Sequence, residues 1–244
     1  MTTPITEDLS RNALLATLNE HDRARLAPHM TVFDLKAGDI LQHAGDDVVD
    51  TWFPCGSAMA AFSIAGNDDT MAVEVALVGR EGAIGGIVSN GNVPAYATAQ
   101  VRFSGRFLRI KTVALERAKL ESISLRHWFS RYSDCLLAQI FQTAACNATH
   151  TIYQRSAKWL LAAASRTSRS EFEMTQEQLA EMLGVGRTFV TRVVGRLREE
   201  GVIATRRGIF TVTNEQRLRE TACGCTATIE NHFDTVMKGV YSPS

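Results

Sequence analysis

Between Gly186 and Gly208 the chain carries six lysines or arginines against two acidic residues, Glu199 and Glu200, although its 244 residues hold 26 basic and 26 acidic side chains. Arg187, Thr188, Thr191, Arg192 and Arg196 are spaced to share the outward face of a helix whose other face is Phe189, Val190, Val193, Val194 and Leu197. Guanidinium groups present paired donors that match guanine O6 and N7, and hydroxyls bond bases or phosphates. Arg206 and Arg207 stand beside Gly208 at a turn, placed to meet a phosphate backbone. The chemistry on offer is recognition of duplex DNA. A merely solvated arginine face is the plainer alternative, and the concentration of charge in an otherwise neutral chain argues against it.

These side chains need elements to hold them. Thr175 stands where a helix N-cap belongs, and Gln178 three residues on completes a capping box. Leu179, Met182 and Leu183 then bury one face of a short helix. Gly184 supplies the left-handed residue that ends it, Val185 plugs the turn, and a second helix starts near Gly186. Val202-Ile203-Ala204-Thr205 and Ile209-Phe210-Thr211-Val212 are β-branched runs joined through Arg206-Arg207-Gly208, which reads as a hairpin. Residues 174–213 therefore form a winged helix-turn-helix whose second helix enters the major groove. Its expected DNA contacts include Arg187, Thr188, Thr191, Arg192, Arg206 and Arg207.

Enzymatic chemistry finds no such support, and no catalytic residue is assigned. Of His21, His29, His43, His127, His150 and His232, only His43 falls in a strand-rich region, and there is no His-x-His pair. Gly-x-Ser-x-Gly, P-loop and Rossmann glycine patterns are missing. Cys55, Cys135, Cys146, Cys223 and Cys225 are scattered and odd in number, so they make no disulfide framework. Cys223-Gly-Cys225 looks like a metal pair, but it falls in a stretch that reads as helix, where residues two apart point to different sides. No third and fourth ligand accompanies it at zinc-like spacing. Reduced, buried cysteines are expected, with no metal and no cofactor. No run of eighteen apolar residues occurs, so no membrane partner is expected. Residues 1–12 are polar and acidic, without a secretory signal, which makes a cytoplasmic location the expectation.

From Val32 to Ile110 short apolar or alternating runs are punctuated by glycine: Val32-Phe33-Asp34-Leu35, Ile40-Leu41, Trp52-Phe53, a run ending at a Gly66-Asn67 turn, another ending at Gly79, then two more. Strands of this length predict a compact antiparallel roll or barrel. Near Leu125 the pattern changes to a glycine- and proline-free helix that runs to His150. Residues 136–146 are apolar nearly all round, so the helix needs cover on every side. A second copy of the same helix supplies it most simply, with Ala138, Ala144, Ala145 and Ala148 permitting close approach. After the wing, Leu218, Ala222, Cys225, Ile229, Phe233 and Val236 recur at helical spacing, so 214–241 reads as one more amphipathic helix.

Roll, long helix and winged helix, in that order, resemble the Crp–Fnr superfamily of bacterial transcription regulators over roughly residues 20–213. The matching pieces are Phe33-x-Leu-Lys-x-Gly38-Asp39-Ile-Leu with Gly45 after it, Trp52-Phe53-x-x-Gly56, Gly82-x-Ile84-Gly85, and Thr175-(x)8-Gly184-x-x-Arg187-x-x-Val190-x-Arg192. The resemblance implies an α+β chain: an N-terminal antiparallel β-roll (a double-stranded β-helix) over 1–124, a dimerisation helix over 125–150, and a winged helix-turn-helix with an extra helix over 151–244. It also implies a homodimer that reads an inverted repeat in double-stranded DNA, with Arg187, Thr188 and Arg192 at the base-reading positions and Thr175, Gln176 and Gly186 among the other DNA contacts. The family's acidic residue beside the first recognition arginine is here Thr188, which implies a different half-site.

An effector held between roll and long helix is likewise implied, with Ile84, Gly85, Gly86, Ile87, Ala95 and Tyr96 as the corresponding pocket. The position that presents a Glu to a cyclic nucleotide's ribose is Gly86, and the Arg position that neutralises its phosphate is Ala95. Burying a phosphate without a cation is costly. Cyclic AMP is therefore not the expected effector, and any small-molecule effector is unidentified. The rival reading is a ligand- or redox-sensing β-roll protein whose winged helix serves protein docking.

Overall fold

The computed structural model describes residues 6–65, 72–87, 93–167 and 170–238. The Gly66-Asn67 turn and the end of the C-terminal segment lie outside them. Two compact units divide the chain. One comprises Met1–Ile64, Ala76–Ala138 and His232–Ser244, the other Ala65–Val75 and Gln139–Asn231.

The first unit opens with three short helices, α1 (Thr6–Ser10), α2 (Ala13–Ala16) and α3 (Glu20–Leu26). Asn12 and Asn19 cap α2 and α3, their side chains accepting from the Leu15 and Asp22 N–H at 2.9 and 2.7 Å. The helices carry Leu9, Leu14, Leu15 and Leu26, and the α2–α3 link carries Leu18, into a core with Phe53, Leu108, Leu115, Trp128 and Phe129. The sequence reading assigned no helix here, although the two asparagine caps were available signals.

Eight strands follow: β1 (Met30–Leu35), β2 (Ile40–Gln42), β3 (Asp50–Pro54), β4 (Met59–Ala65), β5 (Ala72–Val78), β6 (Ile84–Gly85), β7 (Thr98–Phe103) and β8 (Gly105–Lys111). They form two four-stranded sheets, ordered β1-β8-β3-β6 and β2-β7-β4-β5. Trp52, Ile84 and Phe107 from one sheet and Ala60, Val78, Ala99 and Val101 from the other share a second core. The expected antiparallel β-roll is present. Its smallest strand depends on one glycine: at Gly85 (φ +90°) an added Cβ would lie 2.2 Å from the Asp50 carbonyl oxygen.

α4 (Thr112–Glu121) leads into α5 (Ile123–Thr149), a helix of 27 residues. In the first unit α5 buries Trp128, Phe129 and Tyr132. The Tyr132 hydroxyl accepts from Ala83 N (2.9 Å) and donates to Ala83 O (3.1 Å), and Trp128 Nε1 donates to Thr17 Oγ1 at 3.1 Å. Leu137, Ile140 and Phe141, 47, 38 and 65% exposed, continue into exposed Ala144, Ala145 and Ala148. These positions recur every three or four residues, so they make one apolar stripe.

The second unit contains α6 (Ile152–Thr167), β9 (Glu171–Glu173), α7 (Gln176–Leu183), α8 (Arg187–Glu199), β10 (Ile203–Arg206), β11 (Ile209–Val212), α9 (Glu215–Thr221) and α10, which starts at Cys225 and ends at Met237 in the residues grouped with the first unit. The wing is a three-stranded antiparallel sheet, β10-β11-β9, whose third strand was not foreseen. The single C-terminal helix expected over 214–241 is two helices. Ala222 takes an extended conformation (φ −69°, ψ 149°), which breaks the helix before the Cys223-Gly-Cys225 sequence.

Candidate nucleic-acid interface

The helix-turn-helix forms as its local sequence dictates. Thr175 Oγ1 accepts from Gln178 N at 3.1 Å, and Gln178 Oε1 accepts from Thr175 N at 2.7 Å, closing the capping box. Gly184 ends α7 in the left-handed region (φ +63°), its N–H donating to Glu181 O at 3.1 Å. Gly186 then caps α8. Val190, Val194 and Leu197 are essentially inaccessible, so one face of α8 is locked against the domain core.

Arg187, Thr188, Thr191 and Arg192 occupy the opposite, exposed face. Two contacts set that face against α7. Thr191 Oγ1 donates to Gln176 Oε1 at 2.9 Å, and Arg187 Nη1 lies 3.3 Å from Glu177 Oε2. Both partners of the ion pair are more than half exposed, so the pair contributes at most about 1 kcal/mol and restrains the guanidinium without committing it. Glu177 was missed in the sequence because an acidic residue in a first helical turn reads as a dipole complement.

One expectation about α8 needs correction. Phe189, assigned to the buried stripe, is 51% exposed, and the Arg192 guanidinium lies 5.1 Å from its ring centroid. The three buried positions already fill the space under the helix, which leaves Phe189 on its flank. Arg196 is exposed on the outward face as expected, and it is also tied within the domain: its Nε donates to Glu200 Oε1 at 2.7 Å and its guanidinium sits 4.1 Å from the Tyr153 ring centroid. The Tyr153 hydroxyl donates to the same carboxylate. That bond, followed by the Arg196 bond, holds the Glu200 carboxyl below its ordinary pKa.

At the wing tip Arg206 and Arg207 are exposed. Arg207 (φ +44°) and Gly208 (φ +80°) both lie in the left-handed region, the requirement of a two-residue type I′ turn that fits the strand twist. The Gly208 carbonyl accepts from Met174 N at 2.8 Å, which anchors the wing beside the start of α7.

The residues expected to hold an effector are differently placed. Ile84 and Gly85 form β6, and Ile87 is buried. Ala95 is buried and bonds the turn at 45–46 through its N–H and C=O, whereas Tyr96 is 85% exposed. A Cβ at Gly86 would lie 2.3 Å from Thr112 Cγ2, so a longer side chain there requires Thr112 to move. A cavity of about 540 Å³ lies between Ile87, α4 and the first turns of α5. Of the six expected pocket residues only Ile87 lines it, with Glu116, Lys119, Arg126, Phe129 and others. The buried Lys119 Nζ donates to Ile87 O at 2.9 Å and pairs with Glu116 Oε1 at 2.5 Å. Cys55 is buried beside Asp8, which pushes its thiol up to about 12, mainly through burial, and leaves it unreactive.

One grouping departs from the sequence reading. Cys223 and Cys225 are joined by Cys146 and His150, all four ligand-type atoms lying within 4.8 Å of one another. The third partner comes from the last turns of α5 and the fourth from the residue that follows it, and the break before Cys223 frees the two thiols from helical divergence.

The fold and site define an α+β protein that joins a β-roll, through a long helix, to a winged helix-turn-helix. Residues 154–221 match the family model of the Crp-like helix-turn-helix domain. No curated protein matches the sequence. Among solved structures the chain is similar to FixK2 from Bradyrhizobium japonicum, with 15% identity, a TM-score of 0.67, and coverage of 80% of this chain and 98% of that one. It is similar to the c-di-GMP-responsive global regulator CLP from Xanthomonas campestris, at 14% identity and a TM-score of 0.65, covering 80% and 100%. A Crp-family transcriptional regulator from Thermus thermophilus aligns at 16% identity and a TM-score of 0.64, covering 78% and 96%. The chain therefore carries a Crp-like helix-turn-helix domain and shares the fold of these solved structures. Among the described residues no helix is long and apolar enough to cross a membrane.

Proposed function

We propose that the protein is a sequence-specific, DNA-binding transcription regulator that acts as a homodimer on an inverted repeat. The observation that carries this reading is the exposed face of α8, where Arg187, Thr188, Thr191 and Arg192 stand clear of the core while Gln176 and Glu177 steady them. Arg187 and Arg192 read base edges; Thr175, Gly186 and the wing arginines bind phosphates. The apolar stripe from Leu137 to Ala148 supports dimerisation, since side chains of this size left in water favour a covered state. Two recognition helices then address half-sites about one turn of DNA, ~34 Å, apart.

Cyclic AMP is not the controlling ligand in this reading. Gly86 and Ala95 replace the acidic and basic side chains that the resemblance requires, and Lys119 is already satisfied within the protein. Selection of bound fragments from random duplex DNA, without added ligand, tests the proposal. Recovery of an inverted repeat, lost in Arg187→Ala, is the expected result. Failure to enrich any sequence, both alone and with cell extract added, would favour the protein-docking alternative.

A further inference from the structure

Cys146 and His150 lie one turn apart near the end of α5, so both project from one face of that helix. Cys223 sits in the extended link after α9, and Cys225 begins α10. Cys146 Sγ is 3.6 Å from Cys223 Sγ, and Cys225 Sγ is 3.6 Å from His150 Nδ1. A tetrahedral ion with metal–sulfur bonds of about 2.3 Å and metal–nitrogen bonds of about 2.0 Å has ligand–ligand edges of about 3.5–3.8 Å. The two observed edges fall in that range. All four atoms lie within 4.8 Å of one another, which leaves room for one ion and not for a multinuclear cluster.

We propose that Cys146, His150, Cys223 and Cys225 form a tetrahedral site for a single zinc ion. Core filling does not account for the group. The three cysteines are buried, yet among the described residues they form a cluster of their own instead of packing into an aliphatic core. Donors already face the sulfurs: Lys158 Nζ lies 3.3 Å from Cys146 Sγ, and Gln142 Nε2 lies 3.2 Å from Cys225 Sγ. Such N–H···S contacts orient and stabilise thiolate ligands. The charges also balance. Three thiolates and a neutral imidazole around a dication leave one net negative charge, which the Lys158 ammonium offsets. Thiolate and imidazole ligands select zinc over magnesium or calcium, which take oxygen donors. All four positions are supplied by the chain, so the site is structural: it ties the end of α5 to the α9–α10 link.

The test uses the full chain, purified with reductant and without chelator, and is independent of DNA binding. Elemental mass spectrometry is expected to find one zinc per chain. After removal of the metal, cobalt(II) is expected to give intense sulfur-to-metal charge-transfer bands and the ligand-field bands of a tetrahedral site. Cys225→Ser and His150→Ala are expected to lose most of the zinc, whereas Cys55→Ser and Cys135→Ser retain it. Chelation is expected to lower the melting temperature of the wild type and leave that of Cys225→Ser unmoved. Absence of zinc together with an octahedral or featureless cobalt spectrum overturns the proposal. So does zinc that survives both ligand substitutions, or a Cys146–Cys223 disulfide that persists in reductant and excludes cobalt. If the ligand variants fail to fold, the cobalt spectrum of the wild type decides.

Discussion

The arginines of the recognition helix and Lys119 beside the α4 cavity are held in opposite ways. On α8, Arg187 and Arg192 are exposed, and Arg187 is held only by an exposed ion pair. Beside the cavity, Lys119 is buried and fully engaged by the Ile87 carbonyl and Glu116. A surface that must meet a polyanion keeps its cations available and lets salt screen them. A buried cation already matched by a carboxylate has little left for a phosphate. The difference leaves Arg187 and Arg192 available to a ligand and gives Lys119 a structural role.

Substitutions can press on this contrast. The largest effect is expected from Trp128→Ala, which removes a buried indole and its bond to Thr17 and lowers stability by about 3–5 kcal/mol in a denaturant titration. Arg187→Ala is expected to leave the melting temperature unchanged and to cost about 1–3 kcal/mol of discrimination per half-site, read by fluorescence anisotropy against the selected sequence and a scrambled one. Equal losses on both sequences would reduce Arg187 to a phosphate contact.

Arg207→Gly separates the wing's two roles. Relief of the left-handed conformation is expected to raise stability by about 1 kcal/mol, while loss of a phosphate contact lowers the salt slope of binding by about 1 per subunit. Glu177→Gln is expected to tighten DNA binding by less than about tenfold, because it removes a negative charge beside the phosphates and an ion pair worth little.

The smallest effect concerns pH. Glu200 has its folded-state pKa lowered, so its bonds to Tyr153 and Arg196 add stability above the ordinary carboxyl range, about 4.3, and lose it as pH falls through the lower folded value. The melting temperature of Glu200→Gln is expected to fall less steeply than that of the wild type below about pH 4. Parallel curves would show that the pair is screened by solvent.

The helix-turn-helix was legible because its determinants are local. The Thr175–Gln178 capping box spans four residues, Gly184 acts at one position, and Val190, Val194 and Leu197 are a period-3.6 pattern. The roll was legible from strand-length runs, although the registers that pair β1 with β8 across about 75 residues were not. Phe189 was misplaced because helical periodicity says which residues share a face, not how wide a stripe the core covers. The C-terminal break escaped because Ala222 and the cysteines are compatible with helix, and only packing imposes the extended turn.

By itself the sequence determined the two helices and hairpin of the winged helix-turn-helix and the polarity of its recognition face, since each follows from contacts within a few residues. Tertiary structure alone decided that Glu177 steadies Arg187, that Lys119 closes on Ile87 and Glu116, and that Cys146 and His150 meet two cysteines some 75 residues away. Those arrangements depend on which faces the folded core brings together, and spacing along the chain carries no record of them.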